Sequence, residues 1–198
     1  SIVVKNESDT FFFNLEKTNN LNLNFLSKLF EKKDLINEFY SPVELDVLPY
    51  PDWGNYIKRF PLRNDFFSLN QKIAIPLLGT RGCPYSCFFY CTYPLQQGRK
   101  VRARSVENII DEIKFWKKEL STNKFVFRDP VFSINRKHTI EFCKQVIDQK
   151  MNITFMVETH LNNLDDEMIP LLRKAGLELV YVGVESSSTF VLKDMKRF

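Results

Sequence analysis

No stretch of this chain comes near the roughly 18 to 20 consecutive apolar residues that a membrane-spanning helix requires, and the N-terminus lacks the succession of a signal peptide. Neither a membrane span nor a secretory route is expected, and the chain reads as cytoplasmic. Cysteine is scarce, four in 198 residues, and three of the four crowd into one loop, so the paired spacing of a disulfide framework is missing. No Cys-x-x-Cys pair occurs, which removes the usual redox dithiol. Charge of neither sign dominates. The 28 Lys and Arg against 24 Asp and Glu give +4, spread along the chain, and the one dense basic run, Arg99 to Arg104, is too short to mark a nucleic-acid-binding face. What the chain does have is ordinary globular material: 44% hydrophobic residues and 19 Phe, enough for one large aromatic-rich interior.

Residues 1–40 are low in glycine and rich in Asn, Lys and Phe. Strands are predicted near Ile2–Lys5 and Thr10–Leu15, and a helix from Leu23 to Phe39. The segment Leu45-Asp46-Val47-Leu48-Pro49-Tyr50-Pro51-Asp52-Trp53 carries two prolines that favour extended backbone, and it reads as a surface linker continuing irregularly through Pro61 and Arg63-Asn64-Asp65. From Lys72 onward, short apolar runs alternate with amphipathic segments. Lys72 to Leu78, Lys124 to Phe127, Ile153 to Val157 and Leu177 to Val184 are predicted strands. Ser105 is a good N-cap for a helix whose Val106, Ile109, Ile110, Ile113, Trp116 and Leu120 share a face, with Glu107, Asp111 and Glu112 near the positive end of its dipole. A second helix is predicted over Lys137–Lys150, with Ile140, Cys143, Val146 and Ile147 buried. A third runs over Asp165–Ala175, distorted by Pro170 and stopped by Gly176, and a fourth begins after Ser188.

Strands alternating with helices, the strands almost continuously apolar, imply an α/β fold with a parallel sheet covered by helices, curling toward a partial (β/α) barrel. Functional groups in such sheets gather at the C-terminal ends of the strands. That rule selects the cysteine loop, Arg128-Asp129, Glu158-Thr159-His160 and Glu185-Ser186. The loop runs Gly82-Cys83-Pro84-Tyr85-Ser86-Cys87-Phe88-Phe89-Tyr90-Cys91. Three soft thiolates on one short loop suit an iron–sulfur cluster, and a four-iron cluster on three cysteines leaves one iron open for a substrate or cofactor. Structural zinc would need a fourth ligand, and neither His138 nor His160 is spaced to supply it.

The loop Cys-Pro-Tyr-Ser-Cys with a third cysteine shortly after, following the first strand of a β/α chain, resembles that of the radical S-adenosylmethionine enzymes. Gly98-Arg99, Arg102, Arg104-Ser105, Glu107-Asn108-Ile109, Phe127-Arg128-Asp129-Pro130-Val131-Phe132, Ala175-Gly176 and Gly183-Val184-Glu185-Ser186 extend the likeness. They resemble the branch that carries a cobalamin-binding domain ahead of the barrel, joined by a linker similar to Leu48-Pro49-Tyr50-Pro51. The likeness covers residues 45–198. It implies that residues 1–71 are linker and remnant after an absent cobalamin-binding domain. Residues 72–198 are then the N-terminal part of the barrel, about four strand–helix units of it. Beginning at Ser1 and ending at Phe198 within a predicted helix, the chain reads as a piece of a longer protein.

The resemblance further implies roles. Cys83, Cys87 and Cys91 would ligate a [4Fe-4S] cluster whose open iron chelates S-adenosylmethionine. Tyr90, or Phe89 if the loop is shifted, would lie against the adenine. Glu185 and Ser186 would reach the ribose or methionine portion, and Arg128 and Asp129 would face cofactor or substrate as catalytic residues. The whole enzyme would be a cobalamin-dependent radical methyltransferase, or a related radical enzyme, acting on a small molecule with a reductant such as flavodoxin or ferredoxin. Alternatives are a cluster-binding electron-transfer module and an inactive truncated fragment. Two departures stand out: Cys87 and Cys91 are separated by three residues where the family has two, and His160 stands where the family often has Arg.

Simpler readings apply to several residues. Asp129 equally well caps the turn before Pro130, and His160 is a polar strand-end residue unless it is catalytic. Arg102 and Arg104 are loop charges unless they pin the cysteine loop or steer an anionic substrate. Cys143 is a buried structural cysteine, while Trp53 and Trp116 are packing residues. Glu185, ending an apolar strand, would be costly without a partner.

Overall fold

The computed structural model describes residues 44–59, 68–69, 72–87 and 91–196. The elements predicted within residues 1–40, the irregular stretch at Pro61 and Arg63 to Asp65, and the adenine candidates Phe89 and Tyr90 lie outside them. Four parallel strands form the centre of the sheet: β2 (Lys72–Leu77), β5 (Lys124–Phe127), β6 (Thr154–Thr159) and β7 (Leu177–Val182), adjacent in that order. A two-residue strand, β1 (Ser68–Leu69), pairs antiparallel with the outer edge of β2. The expected α/β architecture is what is observed.

Parallel neighbours need long connections, and helices supply them. Helix α3 (Val106–Leu120) links β2 to β5, α4 (Arg136–Asp148) links β5 to β6, and α5 (Met168–Ala175) links β6 to β7, after which α6 (Thr189–Asp194) follows. Ser105 caps α3 by accepting the Asn108 amide, and Asn135 caps α4 by accepting that of His138. Gly176 ends α5 at φ 109°, where a Cβ would lie 2.1 Å from the Ile153 carbonyl oxygen, so only glycine fits this close approach to β6.

Side chains alternate across the sheet. Ile75, Leu77, Phe125, Phe127, Phe155, Val157 and Leu177 enter one core with α3, α4 and α5. Its centre is aromatic: Phe127, Phe132, Phe142 and Phe155 meet with ring centroids 4.8 to 6.2 Å apart. On α4 the buried face is Thr139, Phe142, Cys143 and Val146, while Ile140 and Ile147 are only partly buried, a rotation from the predicted stripe that seats the Phe142 ring in this cluster. Helix α5 begins at Met168, not Asp165, so Pro170 falls in its first turn, where a missing N–H costs nothing and the expected distortion has no cause. Strand β7 departs from the continuously apolar pattern in burial: Leu179 and Tyr181 are exposed at the sheet's edge among the described residues.

The proline-containing linker is less irregular than its sequence suggests. A 3-10 turn, Leu45–Val47, is followed by a helix, α1 (Trp53–Arg59), begun by Asp52, whose carboxylate accepts the Asn55 amide at 3.0 Å. Leu45 is buried, Asp46 accepts the Ser105 amide at 2.9 Å, and the Tyr50 ring packs against Phe115, so the segment is docked onto α3.

Glu112 lies on the buried face of α3 rather than in solvent. Its carboxylate forms an ion pair with Arg104 and accepts the Trp116 indole N–H at 3.3 Å. Arg104 also donates to the Asn108 side chain at 2.6 Å and stands over the Tyr50 ring. Arg104 thus joins α3 to the Tyr50 ring and to the Leu78 carbonyl at 3.4 Å, ahead of the cysteine loop.

Candidate functional site

Beyond the C-terminal end of β2 the chain turns at Gly79 into a two-stranded antiparallel ribbon, β3 (Thr80–Arg81) with β4 (Arg102–Ala103). Between them runs the excursion that carries the cysteines and a short helix, α2 (Tyr93–Gln97), begun with Pro94 in its first turn. Gly82, at φ 93°, is held so near the returning strand that a Cβ would lie 2.2 Å from the Lys100 carbonyl oxygen. The Cys83 amide donates to Gly98 O at 3.1 Å, and the Gly82 amide to Gln97 Oε1 at 3.1 Å. The loop is therefore closed at its base by backbone pairing.

A cavity of about 400 Å³ opens at this end of the sheet. Cys83, Cys87 and Cys91 all line it, with Tyr85 and Tyr93 from the same excursion. Pro130 and Val131 reach it from the end of β5, Glu158, Thr159 and His160 from β6, and Tyr181, Val182, Gly183 and Glu185 from β7. Burial pushes the Cys83 thiol up, opposed by the Tyr85 amide, and the nearby Cys91 and Cys87 sulfurs push it up further. A metal centre on these cysteines would hold all three as thiolates. Among the described residues no three His, Cys, Asp or Glu side chains converge as they would on a single ion. Three thiols around one end of a cavity suit a body of several irons, each taking one cysteine.

Glu185 lines the cavity from a left-handed backbone, φ 62°, uncommon for a residue with a side chain and costing of order 1 kcal/mol. Ser186 does not line the cavity; its hydroxyl accepts the Ser188 amide at 3.0 Å and serves the turn into α6.

The two residues expected to be catalytic at the end of β5 part ways, and neither lines the cavity. Asp129 is 1% exposed and points into the base of the loop: Oδ1 accepts the Gly79 amide at 2.8 Å and Oδ2 accepts the Thr80 hydroxyl at 2.7 Å. Burial raises its pKa to about 6 despite these bonds. Asp129 is thus a buried brace under the turn that launches the cysteine loop, a placement that corrects the expectation that it faces a ligand. Arg128 turns to the adjacent strand and donates to Glu158 Oε1 at 2.8 Å. The other Glu158 oxygen accepts the Tyr93 hydroxyl at 3.4 Å, and burial, with Glu158 beside it, pushes the Tyr93 phenol up. Tyr93, Glu158 and Tyr85 are site residues that the sequence reading did not single out individually. Their signals are Glu158's place at a strand end and the two tyrosines' positions within two residues of a cysteine.

Residues 77–198 match the description of the Radical SAM superfamily. The chain belongs to that superfamily. Among curated proteins it is 31% identical over 149 residues to an anaerobic magnesium-protoporphyrin IX monomethyl ester cyclase of Rubrivivax gelatinosus, an alignment covering 72% of this chain and 25% of that protein. It is likewise 31% identical over 140 residues to a bacteriochlorophyllide d C-12(1)-methyltransferase of Chlorobaculum tepidum, covering 66% of this chain and 30% of the relative. The chain thus spans between a quarter and a third of the length of these relatives. In fold it is similar to the cobalamin-dependent S-adenosylmethionine radical enzyme OxsB, solved with aqua-cobalamin and S-adenosylmethionine bound. The TM-score is 0.60 at 20% identity, over 79% of this chain and 23% of the other.

Proposed function

We propose that this chain is the cofactor-holding part of a radical S-adenosylmethionine enzyme. It carries a [4Fe-4S] cluster on Cys83, Cys87 and Cys91 and takes S-adenosylmethionine in the adjoining cavity. The observation that carries this reading is the convergence of all three cysteines with the ends of β5, β6 and β7 on one cavity. The cluster, when bound, supplies the electron that cleaves the sulfonium of S-adenosylmethionine and leaves a carbon radical for the substrate.

The chain's own residues do the holding. Cys83 is buried and its amide is held by Gly98 O, whereas Cys87 and Cys91 are half-buried. Pro130, Val131 and Val182 give the cavity apolar walls. Glu185 offers its carboxylate as an acceptor to the cofactor's polar groups, and Tyr93 and Glu158 hold the far wall together. Ser186 contributes the turn that sets Glu185, Arg128 acts through Glu158, and Tyr90 or Phe89 covers the adenine. The relatives named above support a whole enzyme that also uses cobalamin through a domain ahead of residues 1–71. That enzyme would be a methyltransferase or related radical enzyme acting on a small-molecule substrate in the cytoplasm. A flavodoxin or ferredoxin would deliver the electron, and the exposed Arg99 and Lys100 beside the cysteine loop offer such an acidic donor a basic approach.

Anaerobic reconstitution followed by electron paramagnetic resonance of the reduced protein tests the reading. A four-iron signal that shifts on adding S-adenosylmethionine is the expected result. A cluster indifferent to S-adenosylmethionine would favour an electron carrier or an inactive fragment, and folded protein that takes up no iron would overturn the assignment of the cysteines.

A further inference from the structure

Tyr85 stands midway between Cys83 and Cys87, and through it the cysteine loop touches the end of β6. Its ring stacks on the His160 imidazole, centroids 4.9 Å apart and planes 29° from parallel. Its hydroxyl donates to Asn163 Oδ1 at 2.9 Å. The imidazole is oriented in turn, because Nδ1 accepts the Asn162 amide at 3.3 Å, which puts the proton of the neutral ring on Nε2. Asn163 belongs to a 3-10 turn, Leu161–Asn163, capped by His160 itself, so ring, amide and turn form one rigid unit. The Asn163 Nδ2 atom is buried with no partner among the described residues, so loss of the Tyr85 hydroxyl would leave both ends of that amide unpaired.

On its other side the described contacts at the base of the loop are with neighbours in sequence. Arg99 donates to the Tyr85 carbonyl at 3.1 Å, and Gly98 and Gln97 accept the Cys83 and Gly82 amides. Those contacts close the loop upon itself, and farther along the excursion the Tyr93 hydroxyl donates to Glu158 Oε2 at 3.4 Å. The contact with His160 and Asn163 crosses 78 residues of sequence and ties the loop to the strand whose Glu158 and Thr159 line the cavity.

We infer that Tyr85, His160 and Asn163 form a latch that sets where the Cys83 and Cys87 thiols stand over the end of β6. All three are positioning residues for the cysteine site. The inference rests on the proposed cluster site for its purpose, but the latch itself can be read without a cluster.

The test is cysteine-by-cysteine alkylation of the metal-free, reduced protein, followed by mass spectrometry. Cys143 serves as an internal reporter of global opening, since it is fully buried in α4 and burial pushes its thiol up to about 12. In His160→Ala and Tyr85→Ala, Cys83 is expected to react roughly tenfold faster than in the parent while Cys143 stays unchanged, the scale of losing one ring stack and one hydrogen bond. Tyr85→Phe and His160→Phe, which each keep the stack but lose one hydrogen bond, are expected to show intermediate rises. After reconstitution, iron retained through desalting falls in the same order, and the reduced-state resonance shifts in the alanine variants. Unchanged Cys83 rates across the series, or Cys83 and Cys143 rising together, would overturn the latch. A parent that takes up no iron defeats the cluster reading alone, because the labelling pattern still decides the latch.

Discussion

Asp129 carries a charge question that can be answered by one substitution. Both its oxygens accept hydrogen bonds, from Gly79 and Thr80, yet burial still raises its pKa from the ordinary 3.8 to about 6. The folded state therefore holds this proton over a range in which the unfolded chain has already released it. A raised carboxyl pKa means that stability is full below about pH 3.8 and declines as pH rises through about 6. A shift of about two units corresponds to roughly 3 kcal/mol lost across that window. Asp129→Asn removes the charge while keeping an oxygen for the Gly79 amide and giving Thr80 an amide donor. Urea unfolding of parent and variant at intervals from pH 4 to pH 8 isolates the effect, since other titrating groups cancel in the difference. The variant is expected to match the parent near pH 4 and to gain on it by about 2–3 kcal/mol by pH 7. A difference that stays constant over this range would refute the reasoning, because it would mean that the carboxyl is ionised in the folded state throughout.

Arg104→Met should cost about 3–5 kcal/mol in denaturant unfolding by stranding the buried Glu112 charge, and adding Glu112→Leu should recover most of it. Gly82→Ala should lose about 2–5 kcal/mol, since a side chain at positive φ meets the Lys100 carbonyl, and its Cys83 should label faster. Phe142→Ala, opening the aromatic core, should cost about 3–5 kcal/mol in the same assay. Cys143→Ser should leave reconstituted iron per chain unchanged, whereas Cys91→Ser should lower it, and equal iron in both variants would contradict the ligand assignment.

The strands and most helices were legible because their signals are local. Ser105 and Gly176 mark helix ends by their own chemistry, and the apolar runs at Lys72, Lys124 and Leu177 open strands where expected. Helix α1 was hidden because Pro49 and Pro51 argue for extended chain more loudly than Asp52 argues for a cap. The burial of Glu112 was not legible because its partner Arg104 lies outside the helix, and helical spacing is blind to an ion pair that makes a buried face tolerate a carboxylate. The strand-end rule pointed to the ends of β5, β6 and β7, and residues at or just beyond those ends line the cavity. It did not say which way each side chain turns: Asp129 goes under the loop and Glu158 into the cavity, by contacts 30 to 65 residues distant in sequence. Thr80 and Gly79, 49 and 50 residues from Asp129, are likewise invisible to any local window.

The ribbon of Thr80 and Arg81 with Arg102 and Ala103 makes the cysteine excursion a tethered ring of chain. For a ring of about 20 residues, closure entropy grows only as the logarithm of contour length, so one additional link costs about 0.05 kcal/mol. The extra residue between Cys87 and Cys91 is therefore nearly free to the folding of the molecule. Its whole effect falls on where the third sulfur is delivered, which makes contour length inside that ring an inexpensive variable by which such a chain can re-aim a ligand without disturbing the sheet beneath it.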